Sequence, residues 1–353
     1  MNYTVTIEEA VAELDRFDAI IDVRSPAEFA EDHMPGAINW PVLDDQERHD
    51  VGLRYATSPF EARKLGSALV ARNIARHLET SAAGLPRTWR PLVYCWRGGQ
   101  RSGAMHWFLG QIGFRSRQLT GGYKAYRSQV RSDLDTLPAR FDYRVLCGLT
   151  GCGKTRLLQA VAAEGGQMLD LEALAAHRGS VLGNLPDQAQ PTQKTFDSRL
   201  WAALRGLDPT RPVFVESESR KIGRVALPVA LLAALRDRGR PVWVAMPEPA
   251  RIELLLQDYA HFAGDAEGFC RALDALVELR GRTKVAQWQA QARAGDWADV
   301  FGALIREHYD PGYEASLRRH FPALETAATL AVADGSAASL RAAALQLLGQ
   351  ATA

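Results

Sequence analysis

Val93-Tyr94-Cys95-Trp96-Arg97-Gly98-Gly99-Gln100-Arg101-Ser102-Gly103 is the stretch on which the reading of this chain turns. Residues 91–94 form a short apolar run headed by proline, the pattern of a buried strand. That strand hands a cysteine to a loop, and the spacing predicts a helix opening at Ser102. Gly98 and Gly99 free the loop backbone to turn its N–H groups inward, making a nest for an anion. The helix start adds partial positive charge, and Arg97 and Arg101 add full charges. A thiolate is the nucleophilic form of cysteine, and positive surroundings favour it. Two arginines and a Gly-Gly pair within six residues therefore argue for a reactive Cys95 over a buried structural thiol.

Outward from this loop, Thr6 with Glu9 predicts an N-capped helix over residues 8–16. Residues 19–24 read as a short strand, and Pro26-Ala27-Glu28-Phe29 starts another helix. Residues 33–39 are turn-rich, 59–78 helical, and 115–119 a last strand closed by Thr120-Gly121-Gly122-Tyr123. Strands alternating with helices predict an α/β domain with a parallel sheet. Cys95 then falls at the C-terminal end of a strand, where open α/β sheets bind ligands. Asp22 is expected to pin a strand end or pair with an arginine, and His33 to be structural.

Residues 131–140, charged and punctuated by Pro138, are expected to link a domain over 1–130 to a second over 141–353. The second opens with the strand Tyr143-Arg144-Val145-Leu146-Cys147, which runs into Gly148-Leu149-Thr150-Gly151-Cys152-Gly153-Lys154-Thr155. This is a complete GxxxxGK[ST] loop between a strand and a helix. Its N–H groups can wrap a diphosphate or triphosphate, Lys154 can reach the terminal phosphates, and Thr155 can bind a magnesium ion. Residues 212–216 and 241–246 read as further buried strands. Glu216 and Glu218 stand where such proteins often carry a metal-binding acid, with a strand-end salt bridge the competing role. Between lies a long polar segment containing His177-Arg178-Gly179-Ser180 and Lys194. Residues 251–293 are expected to be helical, 308–313 a turn, and the alanine-rich tail after Pro322 a pair of helices. Trp201, Phe196 and Trp243 are expected in the core.

The 353 residues, with net charge +1, 47% hydrophobic and 24% charged, suit a soluble two-domain protein and show no field announcing nucleic acid or membrane. Four sparse cysteines form neither a disulfide framework nor a CxxC metal pair, which suits a reducing cytosol. Met1-Asn2-Tyr3-Thr4-Val5 lacks the pattern of a secretory leader, and the apolar run over 225–235 is too short to cross a bilayer. A cytoplasmic monomer is expected.

Asp22-Val23-Arg24, Glu28-Phe29, residues 33–39, the Cys95 loop and Gly121-Gly122-Tyr123 resemble a rhodanese domain, which carries sulfur or selenium on its loop cysteine. The spacing from Cys95 to Arg101 is also that of cysteine-dependent phosphatases, although Tyr94 stands where those usually carry histidine. Taken with the P-loop, His177-Arg178-Gly179-Ser180, Gln193-Lys194, residues 215–223 including Arg220, and Tyr309-Asp310-Pro311, the whole chain resembles the tRNA 2-selenouridine synthase family. That resemblance implies a rhodanese-like domain fused to a P-loop NTPase-like parallel-sheet domain with a helical C-terminal part. It implies exchange of sulfur for selenium at a wobble 2-thiouridine of tRNA, with selenophosphate as donor. It also implies prior transfer of a geranyl group from geranyl diphosphate to that sulfur.

On the same resemblance, Cys95 becomes an S-selanylcysteine assisted by Arg97 and Arg101, in a loop completed by Trp96, Gly98, Gly99, Gln100 and Ser102. Gly148, Thr150, Gly151, Cys152, Gly153, Lys154 and Thr155 would hold the diphosphate. Glu216, Glu218, Arg220 and Lys194 are further candidates. No tightly bound cofactor and no dedicated metal ligand is expected beyond a magnesium ion at the P-loop. The competing reading is a sulfurtransferase or cysteine phosphatase coupled to a nucleotide-hydrolysing P-loop domain.

Overall fold

Thr6 accepts the backbone N–H of Glu9, whose side chain reaches back to the Thr6 N–H, and this reciprocal cap starts helix α1 (Ile7–Ala12). Ser25 and Glu28 repeat the arrangement at α2 (Pro26–Glu31), with Pro26 at the first turn where its missing N–H costs nothing. The structure, a computed structural model, describes residues 4–186 and 188–351. Residues 1–3, part of the N-terminal stretch used against a secretory leader, lie outside the described residues.

The chain divides into two compact units, 1–133 with 197–202, and 134–196 with 203–353. In the first, strands β1 (Thr4–Val5), β2 (Ala19–Asp22), β3 (Ala37–Asn39), β4 (Pro91–Tyr94) and β5 (Arg117–Leu119) form one sheet in the order β1-β5-β4-β2-β3. Every pairing is parallel. Helices α3 (Asp45–Thr57), α4 (Pro59–Thr80), α5 (Gln100–Ile112) and α6 (Gly122–Thr136) complete this unit's main elements. Ile21, Val23, Val93, Met105 and Leu109 are buried in its core, and Trp201 packs edge-on against Tyr126. Parallel strands buried on both faces read as continuous apolar runs, which is why residues 91–94 and 19–22 were legible as strands.

The second unit has a five-stranded parallel sheet in the order β12-β11-β6-β8-β7. Its strands are β6 (Tyr143–Cys147), β7 (Gln167–Leu169), β8 (Val213–Glu216), β11 (Arg240–Ala245) and β12 (Ala328–Ala331), while β9 (Lys221–Ile222) and β10 (Val225–Ala226) make a small antiparallel pair. Helices α7 (Lys154–Ala163), α8 (Leu171–Ala175), α9 (Gln193–Arg205), α10 (Val229–Ala233) and α11 (Glu248–Asp258) are interspersed among the strands. Further helices between 266 and 320 bury Phe269, Leu273, Trp288, Phe301 and Leu304 in a cluster of their own. Among the described residues no helix is long and apolar enough to cross a membrane.

Several expectations change. Residues 131–140, expected as a linker, are helical: α6 runs to Thr136 and a 3₁₀ turn covers Leu137–Arg140. Val130, Leu134 and Leu137 are buried, a narrow apolar stripe at helical spacing inside a charged sequence. The tail after Pro322 is not a pair of helices. Residues 328–331 form an edge strand parallel to β11, and only residues 337–351 are a full helix. Sheet pairing overrides alanine's helical preference there. Residues 308–313, read as a turn, are helical. Within the turn-rich 33–39 segment, Ala37–Asn39 is an edge strand, and α3 was not foreseen.

Candidate active site

Cys95 sits at the C-terminal end of β4, and the loop after it is shaped by backbone rather than side chains. Gly98 has φ +65°, and a Cβ there would lie 2.4 Å from the Leu119 carbonyl oxygen. Gly122 has φ +55°, and its Cβ would meet the Cys95 carbonyl oxygen at 2.2 Å. The Gly121-Gly122-Tyr123 turn thus packs directly under the loop. The Tyr123 N–H donates to the Cys95 carbonyl at 2.8 Å and the Lys124 N–H to that of Trp96 at 3.0 Å. Gln118 donates to the Gly98 carbonyl at 2.7 Å, holding the loop from β5.

Cys95 is 4% exposed and packs with the first unit's core. Ser102 donates its hydroxyl to Cys95 Sγ at 3.2 Å and receives the Gln118 amide at 3.0 Å. Helix α5 begins at Gln100 rather than Ser102, so Ser102 acts from within the first turn. Arg97 is exposed. Arg101 is paired with Glu28 at 3.0 Å, an acid that Arg48 also approaches at 3.8 Å. Burial works against the Glu28 carboxylate, but the Arg101 hydrogen bond and charge hold it below its ordinary pKa. Of the two guanidiniums expected at the loop, that of Arg101 is therefore spent on Glu28. Trp96 is half-buried and packs against Tyr123.

Asp22 and Arg24 are both buried and locked together, Arg24 Nε lying 2.9 Å from Asp22 Oδ2. Arg24 also stacks over the Tyr123 ring at 3.9 Å, so this pair braces the floor of the loop. His33 stacks on Phe29 and bonds its carbonyl at 2.9 Å, a structural position.

In the second unit β6 delivers residues 148–153 as a loop capped by α7. Gly151 and Gly153 have φ near +78° and +75°. A Cβ on Gly148 would lie 2.7 Å from the Val244 carbonyl, so only glycine lets the loop pass β11. Lys154 Nζ donates to the Gly148 and Leu149 carbonyls at 3.1 and 3.4 Å. Arg251, almost fully buried, donates to the Thr150 carbonyl at 2.9 Å and pairs with Asp310 at 2.6 Å, fixing the outer side of the loop.

A cavity of about 360 Å³ opens over this loop, lined by Thr150, Gly151, Gly153, Lys154 and Thr155 together with Tyr313. Glu216 and Glu218 reach it from the end of β8, and Glu172 from the first turn of α8. Oxygen atoms of these three carboxylates lie within 4.8 Å of one another, and Thr155 donates to Glu172 at 3.1 Å. Burial raises the pKa of all three, helped by repulsion from the other glutamates at Glu172 and Glu216 and from Asp170 at Glu218. Burial works against the Lys154 ammonium, but Cys152 first, then Tyr313, Glu216 and Glu172 outweigh it and raise its pKa. Glu216 Oε1 is buried without a hydrogen-bond partner. A hard, all-oxygen set with an unsatisfied carboxylate suits magnesium, and Thr155 completes it.

Of the other expected residues, Gly148 and Cys152 belong to the loop but do not line this cavity, with Cys152 buried, while Arg220 is exposed and Lys194 half-buried. Neither Arg220 nor Lys194 is among the residues lining the cavity. Phe196 and Trp201 are buried and Trp243 half-buried. Glu172, Tyr313 and Arg251 were missed. Glu172 follows β7, a three-residue strand too short to stand out in sequence.

Residues 6–129 match the rhodanese-like domain family, and residues 141–275 match the tRNA 2-selenouridine synthase AAA domain. The tRNA 2-selenouridine synthase of Nitrosomonas europaea is 33% identical over 87% of this chain and 80% of its own length. That of Verminephrobacter eiseniae is 36% identical over 83% of this chain and 87% of its own. A solved N-terminal domain of an ATP/GTP binding protein from Clostridium difficile 630 is 35% identical over 36% of this chain and 98% of its own, with a TM-score of 0.33. Identity above 30% across most of both chains, with both domain families in order, places this chain in the tRNA 2-selenouridine synthase family.

Proposed function

We propose that this chain converts 2-thiouridine at the wobble position of tRNA into 2-selenouridine, through an S-geranyl intermediate. The observation that carries the reading is the pairing, on one chain of this family, of a hydrogen-bonded loop cysteine with a separate phosphate-binding loop. A thiocarbonyl sulfur leaves poorly; once alkylated it departs as a thiol. In the first step the allylic C–O bond of geranyl diphosphate breaks, a C–S bond forms to the nucleoside, and pyrophosphate leaves. Charge grows on that pyrophosphate in the transition state. Lys154 and backbone N–H groups of the 148–153 loop would hold it, which is electrostatic stabilisation of a leaving group. Magnesium bound by Thr155 and the three glutamates would supply further positive charge there.

In the second step selenium enters at the same carbon and the geranylthiol departs. Selenophosphate is the donor: its selenium forms the new bond to carbon, water takes the phosphoryl group to phosphate as the Se–P bond breaks, and the glycine loop at Cys95, whose sulfur Ser102 orients, receives the tetrahedral oxyanion.

The test is mass spectrometry of nucleosides from thiolated tRNA incubated with enzyme, geranyl diphosphate and selenophosphate. Cys95→Ser should accumulate the geranylated nucleoside with no selenouridine, and Lys154→Ala should make neither. Selenouridine from Cys95→Ser, or normal geranylation by Lys154→Ala, overturns the assignment of that step.

A further inference from the structure

Behind the phosphate-binding loop lies a second cavity, of about 540 Å³, beside the C-terminal ends of β11 and β12. Leu149 and Cys152 of the loop form one wall, and Trp243, Met246, Pro247 and Val332 much of the rest. We propose that this cavity holds the hydrocarbon tail of the allylic diphosphate whose head group the loop grips. The inference rests on the geranyl-transfer reading above and adds where the chain lies and which residues select its length.

Position is the first argument. Lys154, the cation expected on the diphosphate, has its Nζ 3.8 Å from Cys152 Sγ and 3.4 Å from the Leu149 carbonyl. Two wall residues of the cavity are thus direct neighbours of the group that would anchor the head.

Chemistry is the second. A phosphate-binding loop ordinarily serves a nucleotide, whose base needs donors and acceptors along its edge. The residues lining this cavity are leucine, cysteine, tryptophan, methionine, proline, valine and alanine, with one arginine. That arginine is Arg251, whose Nε and Nη2 already serve the Thr150 carbonyl and Asp310. A base seated here would lose its hydrogen bonds to water and recover few, a cost that an isoprenoid chain does not carry. The opposite flank of the loop is different in kind. Glu172, Glu216, Glu218, Arg178 and His177 line it beside Leu185, Leu255, Tyr259 and Tyr313, a charged setting that suits head group, metal and incoming nucleoside. The carboxylates are thereby kept to one side of the glycine loop.

The experiment fills the cavity from its rim. Ala331 and Ala333 both line it and are both exposed, so Ala331→Phe and Ala333→Phe add bulk without disturbing the core. Calorimetry on the full chain with magnesium compares inorganic pyrophosphate with the non-ionising geranyl thiolodiphosphate. Wild type should bind the prenyl analogue much the tighter. In the Phe variants that advantage should fall by roughly tenfold or more, equivalent to about two lost methylene contacts, while pyrophosphate affinity stays within about twofold. An undiminished advantage in both variants places the tail elsewhere and overturns this inference alone. Wild type binding the prenyl analogue no better than pyrophosphate overturns the geranyl-transfer reading as well. Loss of ATP binding in the variants, with the prenyl analogue unaffected, would make the cavity a base site and overturn the inference.

Discussion

Replacing Gly122 by alanine tests whether the Cys95 loop is built by backbone contact. The new methyl would stand 2.2 Å from the Cys95 carbonyl oxygen and 2.5 Å from the Gly98 nitrogen, and both are backbone atoms with no rotamer to escape into. Holding a non-glycine residue at φ +55° adds roughly 1–2 kcal/mol. Relieving the overlap costs about 1–3 kcal/mol more, as in overpacked cores. Pushing the Cys95 carbonyl aside also breaks its 2.8 Å bond from Tyr123, worth about 1 kcal/mol. The total is about 3–6 kcal/mol, which for a unit of this size lowers the melting temperature by about 10–20 °C. Gly110→Ala is the control in the same unit. Its Cβ meets nothing within 4 Å inside α5, so that variant should be stabilised by about 0.5–1 kcal/mol. The assay is thermal unfolding of the full chain followed by near-ultraviolet circular dichroism, with peptide mass spectrometry of iodoacetamide labelling at Cys95. Gly122→Ala should lower the first transition and expose the thiol, so that labelling quickens. Melting within about 2 °C of wild type, with unchanged labelling, would refute the idea that the glycine turn shapes this loop.

Two further outcomes follow from buried charge. Arg24→Met strands Asp22 in the core and should cost about 3–5 kcal/mol in chemical denaturation, whereas Arg24→Met with Asp22→Asn should recover part of it; an unchanged midpoint in the single variant would contradict the pairing. The carboxylate cluster sets a pH dependence: burial and mutual repulsion push Glu216 up to about 7 and Glu172 up to about 9. Raised folded-state values mean that the native state holds the extra protons. In metal-free protein the cluster's contribution to stability should therefore be full below the ordinary carboxylate range and be lost as pH rises toward 9. Magnesium should remove much of that decline and Glu216→Gln should flatten it; a flat metal-free melting profile from pH 5 to 9 would count against the cluster.

The sequence by itself determined both parallel-sheet units and the two loops that matter, because each is local. A short apolar strand followed by glycines and a charged helix start is written in consecutive residues, at Cys95 and again at Lys154. What it could not show is which distant groups those loops meet. Arg101 reads as a free cation in sequence, but it spends its charge on Glu28, 73 residues away. Glu172 joins Glu216 and Glu218 only because β7 and β8 lie side by side in register. Residues 328–331 read as helical, and they become the edge strand that walls a cavity because β11 offers an open row of backbone groups to pair with. Carboxylate pKa values, ion pairs and cavities depend on distances through space, and those are settled only when the sheets close.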